Sequence, residues 1–235
     1  AGGQAVRHMR RVEHPLIDFA CLRLETFAVA IWGGSLFRIA IMATPFLLPL
    51  MFQVAFGLNA FQSGLLVLTM FAGNLAMKSV TTLVLRSLGF RTVLLSNGVI
   101  SAVLVIACGF LVPQTPKLVI MGVLFLHGLS RSMQFTSLNT IAMVDVPKPM
   151  MSSATSFAAV VQQMGIGMGV AVGAVALRAV AFLRGERGTT PSLMDFHIAL
   201  WVVGAMSLLA LIDCYGLKPH AGAEVSGHGP GSLTA

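Results

Sequence analysis

The stretch LVIMGVLFLHGLSRSMQFTSLNTIAMV, residues 118–144, decides how this chain is read. As a helix it is long enough to cross the ~30 Å hydrocarbon core of a bilayer, which takes ~20 residues. Yet Arg131 lies near its middle. A cation at membrane depth costs several kcal/mol, from ~2.5–3.5 upward on insertion scales, so it faces a bundle interior or a watery path. His127, Arg131 and Gln134 follow an i, i+4, i+7 spacing that stacks them on one helix face, with Asn139 at its edge. Two readings of that stripe stay open. It is either a polar network tying this helix to its neighbours or one wall of a substrate or proton path.

The rest of the chain repeats the pattern. Apolar runs predict six transmembrane helices at Phe27–Phe56, Phe61–Leu85, Thr92–Val112, Leu118–Val144, Ala154–Leu183 and Phe196–Leu217. Gly- and Pro-rich turns such as Gly57-Leu58-Asn59, Pro113–Pro116 and Pro147-Lys148-Pro149 separate them. Lipid offers no partner to backbone N–H and C=O groups, so every run is expected to be a helix. The composition agrees: 56% of residues are hydrophobic, only 10% are charged, and mean hydropathy is +0.87. Soluble domains carry about 25% charged residues. The net charge of +7 does not point to nucleic acid, because no basic cluster is interleaved with aromatics. Cys21, Cys108 and Cys214 lie far apart and read as packing residues, with no disulfide framework, metal site or cofactor implied.

The basic residues sort by membrane side. With the N-terminus inside, the inner segments hold Arg7, Arg10, Arg11, Arg23, Arg86, Arg91, Lys148 and Lys218, against Lys117, Arg184 and Arg187 outside. The positive-inside rule then places both termini in the cytoplasm of a multi-pass protein of the cell's inner (plasma) membrane. Residues 1–25 read as a charged cytoplasmic lead-in without a cleavable signal peptide, residues 26–217 as the transmembrane bundle, and residues 218–235 as a disordered cytoplasmic tail.

Further polar groups fall within the spans. The first span carries Arg38, then Thr44, Pro45, Pro49 and Gln53; the second carries Asn74 and Lys78; the fifth carries Gln162 and Gln163. Gly165, Gly169 and Gly173 recur every fourth residue, a smooth stripe for close helix packing. The third and sixth spans are nearly free of such groups, apart from Asn97, Ser101 and Ser207, and read as lipid-facing buttresses. That order matches two three-helix repeats, with Arg38 and Arg131 on the first helix of each. Carboxylates are missing from the span interiors. Asp145 ends the fourth span, Asp213 lies near the inner end of the sixth, and Asp195 lies in the outer loop region. His127 is the one interior group suited to proton chemistry, and a lone histidine is more often a hydrogen-bonded packing residue.

Several stretches resemble the major facilitator superfamily, specifically its fourteen-helix drug:proton antiporter branch. They are GLSRSMQFTSLNT (128–140) running on to VDVP (144–147), SSATS (152–156) with QQMG (162–165), and PFLLP (45–49) with FQSG (61–64). RSLGFR (86–91) resembles the basic loop between the second and third helices of a six-helix half, where arginines and a tight glycine turn gate the rocking of the halves. The resemblance implies an all-α fold corresponding to the C-terminal six helices only. The acidic proton-binding positions would then lie in an N-terminal half, on the same or a separate chain.

On this reading the chain is half of a transporter and not an enzyme. It would move small organic molecules outward, with protons as the coupling ion, by alternating access. The expected cavity residues are Arg38, Lys78, Arg131, Gln134, Asn139 and Gln163, and the expected gate elements are Arg86, Gly89 and Arg91. The alternative is a non-transporting membrane scaffold or a truncated transporter remnant, in which the polar faces serve only as helix–helix glue.

Overall fold

The computed structural model describes residues 19–185 and 190–211. A short 3-10 turn, Phe19–Arg23, leads into α1 (Glu25–Val54). There follow α2 (Ala60–Lys78), α3 (Thr81–Leu88), α4 (Phe90–Cys108), α5 (Lys117–Val144), α6 (Met151–Leu183) and α7 (Leu193–Leu209). The described residues contain no strand. Five of the helices are long and apolar enough to cross a membrane, and α7 is a shorter apolar helix. The expected lead-in and tail fall almost entirely outside the described residues, as does the end of the sixth span beyond Leu211.

The second predicted span needs correction. Phe61–Leu85 is not one helix: α2 stops at Lys78 and a separate helix, α3, begins at Thr81. The break falls at Ser79-Val80-Thr81-Thr82, where β-branched side chains are stiff in a helix. The Thr81 hydroxyl also donates to Met77 O at 2.7 Å, competing with the backbone for that carbonyl. The third predicted span, α4, ends at Cys108, before the predicted Val112, because the chain turns at Gly109. By contrast, α1 runs unbroken through Pro45 and Pro49.

α1 and α5 lie against each other at the centre. α6 packs on α1 and α2 packs on α5, each thus crossing to the other triplet; α4 leans on α5, α7 leans on α1, and α4 and α7 meet. Exchanging α1 with α5, α2 with α6 and α4 with α7 leaves this pattern of neighbours unchanged. The described helices therefore form two three-helix repeats with matching neighbours, with α3 inserted in the first. One departure is that α6 also touches α7, whereas α2 reaches α4 through α3.

Glycines set the crossings. A Cβ on Gly73 would lie 2.1 Å from Phe125 O, and one on Gly128 would lie 1.9 Å from Met70 O, so α2 and α5 touch backbone to backbone. In the other repeat, a Cβ on Gly169 would lie 2.6 Å from Met42 Cβ, and one on Gly173 would lie 3.2 Å from Ala43 Cβ. Because lipid tails are as apolar as leucine, such close contact, rather than water exclusion, holds helices together in a bilayer. Gly128→Ala is accordingly expected to cost ~1–3 kcal/mol. Gly122→Ala, on the same helix with open space around it, should change stability by less than about 0.5 kcal/mol. Thermal unfolding of the two variants in detergent micelles measures the contrast.

Candidate functional site: the α1–α5 seam and the open face of α5

Arg38 is the fourteenth residue of α1 and Arg131 the fifteenth of α5, so the two cations hold nearly the same place in the two repeats. Each reaches across the seam toward the other helix. The Arg38 guanidinium donates to Asn139 Oδ1 of α5 at 2.8 Å and to Ala30 O of its own helix at 3.2 Å. Gly34 leaves room for it, since a Cβ there would sit 3.1 Å from Nη1, and Gly165 of α6 lies against its stem. Arg38 is only 2% exposed and its Nε has no partner. It is sealed in the seam rather than open to a cavity.

Arg131 is half-buried. Its Nη2 donates to the Met42 thioether at 3.4 Å, and its charge lies 5.9 Å from the centre of the Phe135 ring. A thioether is a weak acceptor and a ring face is a modest one, so this guanidinium retains unused hydrogen-bonding capacity. Its Nε is buried without a partner.

The predicted polar stripe divides. Arg131 turns to α1, but Gln134 turns to α4. Gln134 is fully buried, donates to Leu94 O at 3.0 Å and accepts from Asn97 Nδ2 at 2.9 Å. Asn97 also donates to Ser130 O at 2.8 Å, and the Ser130 hydroxyl donates back to Asn97 O at 3.3 Å. Gln134 is thus a tie between α4 and α5, and its expected place in the cavity is corrected. The third predicted span, α4, is more than a lipid-facing buttress, because Asn97 belongs to this tie. The signal for it was a lone Asn in an otherwise apolar run. His127 is fully buried and neither ring nitrogen has a hydrogen-bond partner, contrary to the expected bonded packing residue.

The other side of α5 is open. Phe135, Thr136, Asn139, Thr140 and Met143 are half- or fully exposed on adjoining positions of the helix surface. Thr136, Asn139, Thr140, Met143 and Val144 line a shallow cavity of about 450 Å³. Thr136 and Thr140 also line a second cavity of about 360 Å³, shared with Lys78 and Arg86. A polar groove therefore follows α5 from the Arg38–Asn139 pair to the end of α2. A larger, mostly apolar cavity of about 540 Å³, bordered by Phe56, Leu65 and Ile120, lies at the opposite end.

The remaining expected residues are more dispersed. Gln163 is exposed on α6. At ~100° per residue it lies about 160° around the helix from Gly165, away from α1. Gly89 joins α3 to α4 with φ +74°, a left-handed conformation that favours glycine, and its N–H bonds Leu85 O at 3.0 Å. Arg86 precedes this turn, and Arg91 follows it half-buried in the first turn of α4. Asp195 is not a loop residue: it is fully buried, caps the start of α7 by accepting from Ser192 N–H at 2.8 Å, and pairs with Arg184 at 2.9 Å.

A helical membrane bundle built from two three-helix repeats, with a cation at matching places on the central helices, has the architecture of a secondary-transporter half. Residues 3–170 match the Major Facilitator Superfamily, and the chain belongs to that family. It is 33% identical over 165 residues to the probable transport protein HsrA of Haemophilus influenzae, covering 70% of this chain and 36% of that protein. It is 27% identical over 207 residues to the putative multidrug resistance protein MdtD of Pectobacterium atrosepticum, covering 87% and 44%. To the MdtD of Cronobacter sakazakii it is 27% identical over 216 residues, covering 89% and 45%. The chain thus spans under half the length of the curated relatives it matches.

The Arg38–Asn139 bond generates a measurable coupling. Asn139→Leu removes an acceptor from a buried guanidinium and should cost ~1–3 kcal/mol. In a double-mutant cycle with Arg38→Met, a coupling of ~0.5–3 kcal/mol is expected from unfolding in micelles. Strict additivity would show that the bond contributes nothing.

Proposed function

We propose that this chain is the C-terminal half of a drug:proton antiporter that exports small organic molecules by alternating access, and that an N-terminal six-helix half docks on its open side. The observation that carries the reading is Arg131. It is held half-exposed beside the open face of α5, in contact with a thioether and an aromatic ring. A cation so poorly matched at membrane depth calls for water, a counter-ion or a substrate. The share of each relative that is matched, 36–45%, leaves room for a second bundle of similar size.

In this proposal Arg131 and Asn139 border the translocation cavity, and Arg38 fixes Asn139 and the seam between the repeats. Gln163 meets the second half. Arg86, Gly89 and Arg91 form the gate turn, with Gly89 allowing α3 and α4 to meet at a sharp angle. The basic end of the bundle faces the cytoplasm, and both termini lie there, in the inner membrane. Acidic groups for proton exchange belong to the second half in this reading, since no described residue lining the α5 groove is acidic.

In a complete carrier, Arg131→Ala is expected to lower efflux roughly tenfold or more with membrane insertion unchanged. Asn139→Cys should react with a membrane-impermeant thiol reagent, whereas Arg38→Cys, sealed in the seam, should resist it. Wild-type efflux from a correctly inserted Arg131→Ala carrier would leave the scaffold reading in its place.

A further inference from the structure

The sequence assigns Lys78 and Arg86 to two different devices, a cavity wall and a gate. The fold puts both on one pocket of about 360 Å³, together with Thr81, Thr82, Thr136, Thr140, Leu85 and Phe90. Two cations and four hydroxyls line it, and among the described residues no carboxylate does. Thr81 and Thr82, in the first turn of α3, open onto the pocket. Lys78, Thr81, Thr82, Leu85 and Arg86 follow an i, i+3, i+4, i+7, i+8 spacing that carries one face across the α2–α3 junction, and Thr136 and Thr140 of α5 complete the pocket.

This chemistry fits a phosphate. A phosphate presents acceptor oxygens and full negative charge; arginine supplies a planar fork of donors, lysine a compact charge, and threonine a hydroxyl donor. Depth sharpens the match. α2 has 19 residues, about 28 Å at ~1.5 Å each, close to the ~30 Å hydrocarbon thickness. Lys78 is its last residue, so the pocket sits where hydrocarbon gives way to headgroups. Leu85 and Phe90 add an apolar wall suited to the glycerol and first methylenes of a lipid.

We propose that this pocket is a phosphate-binding site, with Lys78 and Arg86 as charge partners and Thr82, Thr136 and Thr140 as donors. At that depth the abundant source is the phosphodiester of an anionic phospholipid, while a phosphate from solution presents the same chemistry. The proposal does not depend on which substrate, if any, the complete carrier moves.

The test uses the full 235-residue chain, purified in detergent. Native mass spectrometry measures retained phosphatidylglycerol against phosphatidylcholine, with and without millimolar inorganic phosphate. Lys78→Ala/Arg86→Ala is expected to lower phosphatidylglycerol retention roughly tenfold or more. Thr136→Val, which keeps size and charge, should weaken it to a smaller degree and keeps the test decisive should the double variant misfold. Arg23→Ala, exposed at the same end but outside the pocket, should leave it unchanged. Insensitivity to inorganic phosphate assigns the site to lipid; displacement of the lipid by it, lost in the same variants, assigns the site to phosphate from solution. Retention that ignores both pocket variants, or falls equally in Arg23→Ala, overturns the proposal.

Discussion

A bilayer interior offers a polar group no partner other than protein, and that constraint organises this molecule. Arg38 has to be answered from within, so α1 and α5 meet closely enough for its guanidinium to reach Asn139. Gly34 and Gly165 make the space for it. On the far side of α5, Gln134, Asn97 and Ser130 answer one another in a second polar seam. Between them, these two networks fix α5 against both α1 and α4.

Close backbone approach supplies the rest of the cohesion. Gly73 with Gly128 sets α2 on α5, and Gly169 with Gly173 sets α6 on α1. The two crossings correspond between the repeats, and so, nearly, do the places of the two arginines. Their environments differ: one cation is sealed and bonded, the other half-open against a thioether and a ring. Matching repeats thus present an asymmetric chemistry, with one arginine sealed and the other beside the open groove.

Much of the architecture was legible from periodicity and composition. Length and hydropathy predict the apolar helices, because the cost of an unpaired peptide group in lipid leaves the backbone no other choice. Polar residues on the first, second, fourth and fifth spans point to two three-helix repeats, and the four-residue glycine spacing on the fifth points to a packing face. Less legible were features that depend on local competition. The break after Lys78 comes from a threonine hydroxyl bidding for a carbonyl, which an apolar run conceals. The short glycine pair Gly73 and Gly128 has no repeat to announce it.

What the sequence by itself determined is which residues are embedded and which of them are out of place there: cations at membrane depth are conspicuous wherever the chain is apolar. Only the tertiary structure decided what each does. His127, Arg131 and Gln134 share a helix face at their spacing, yet one is enclosed without a partner, one leans on α1 and one bonds α4. Lys78 and Arg86 stand eight positions apart, and α5 closes them into one pocket through Thr136 and Thr140. Partners are set by which helix lies opposite, and that is fixed by long-range packing that spacing along the chain does not encode.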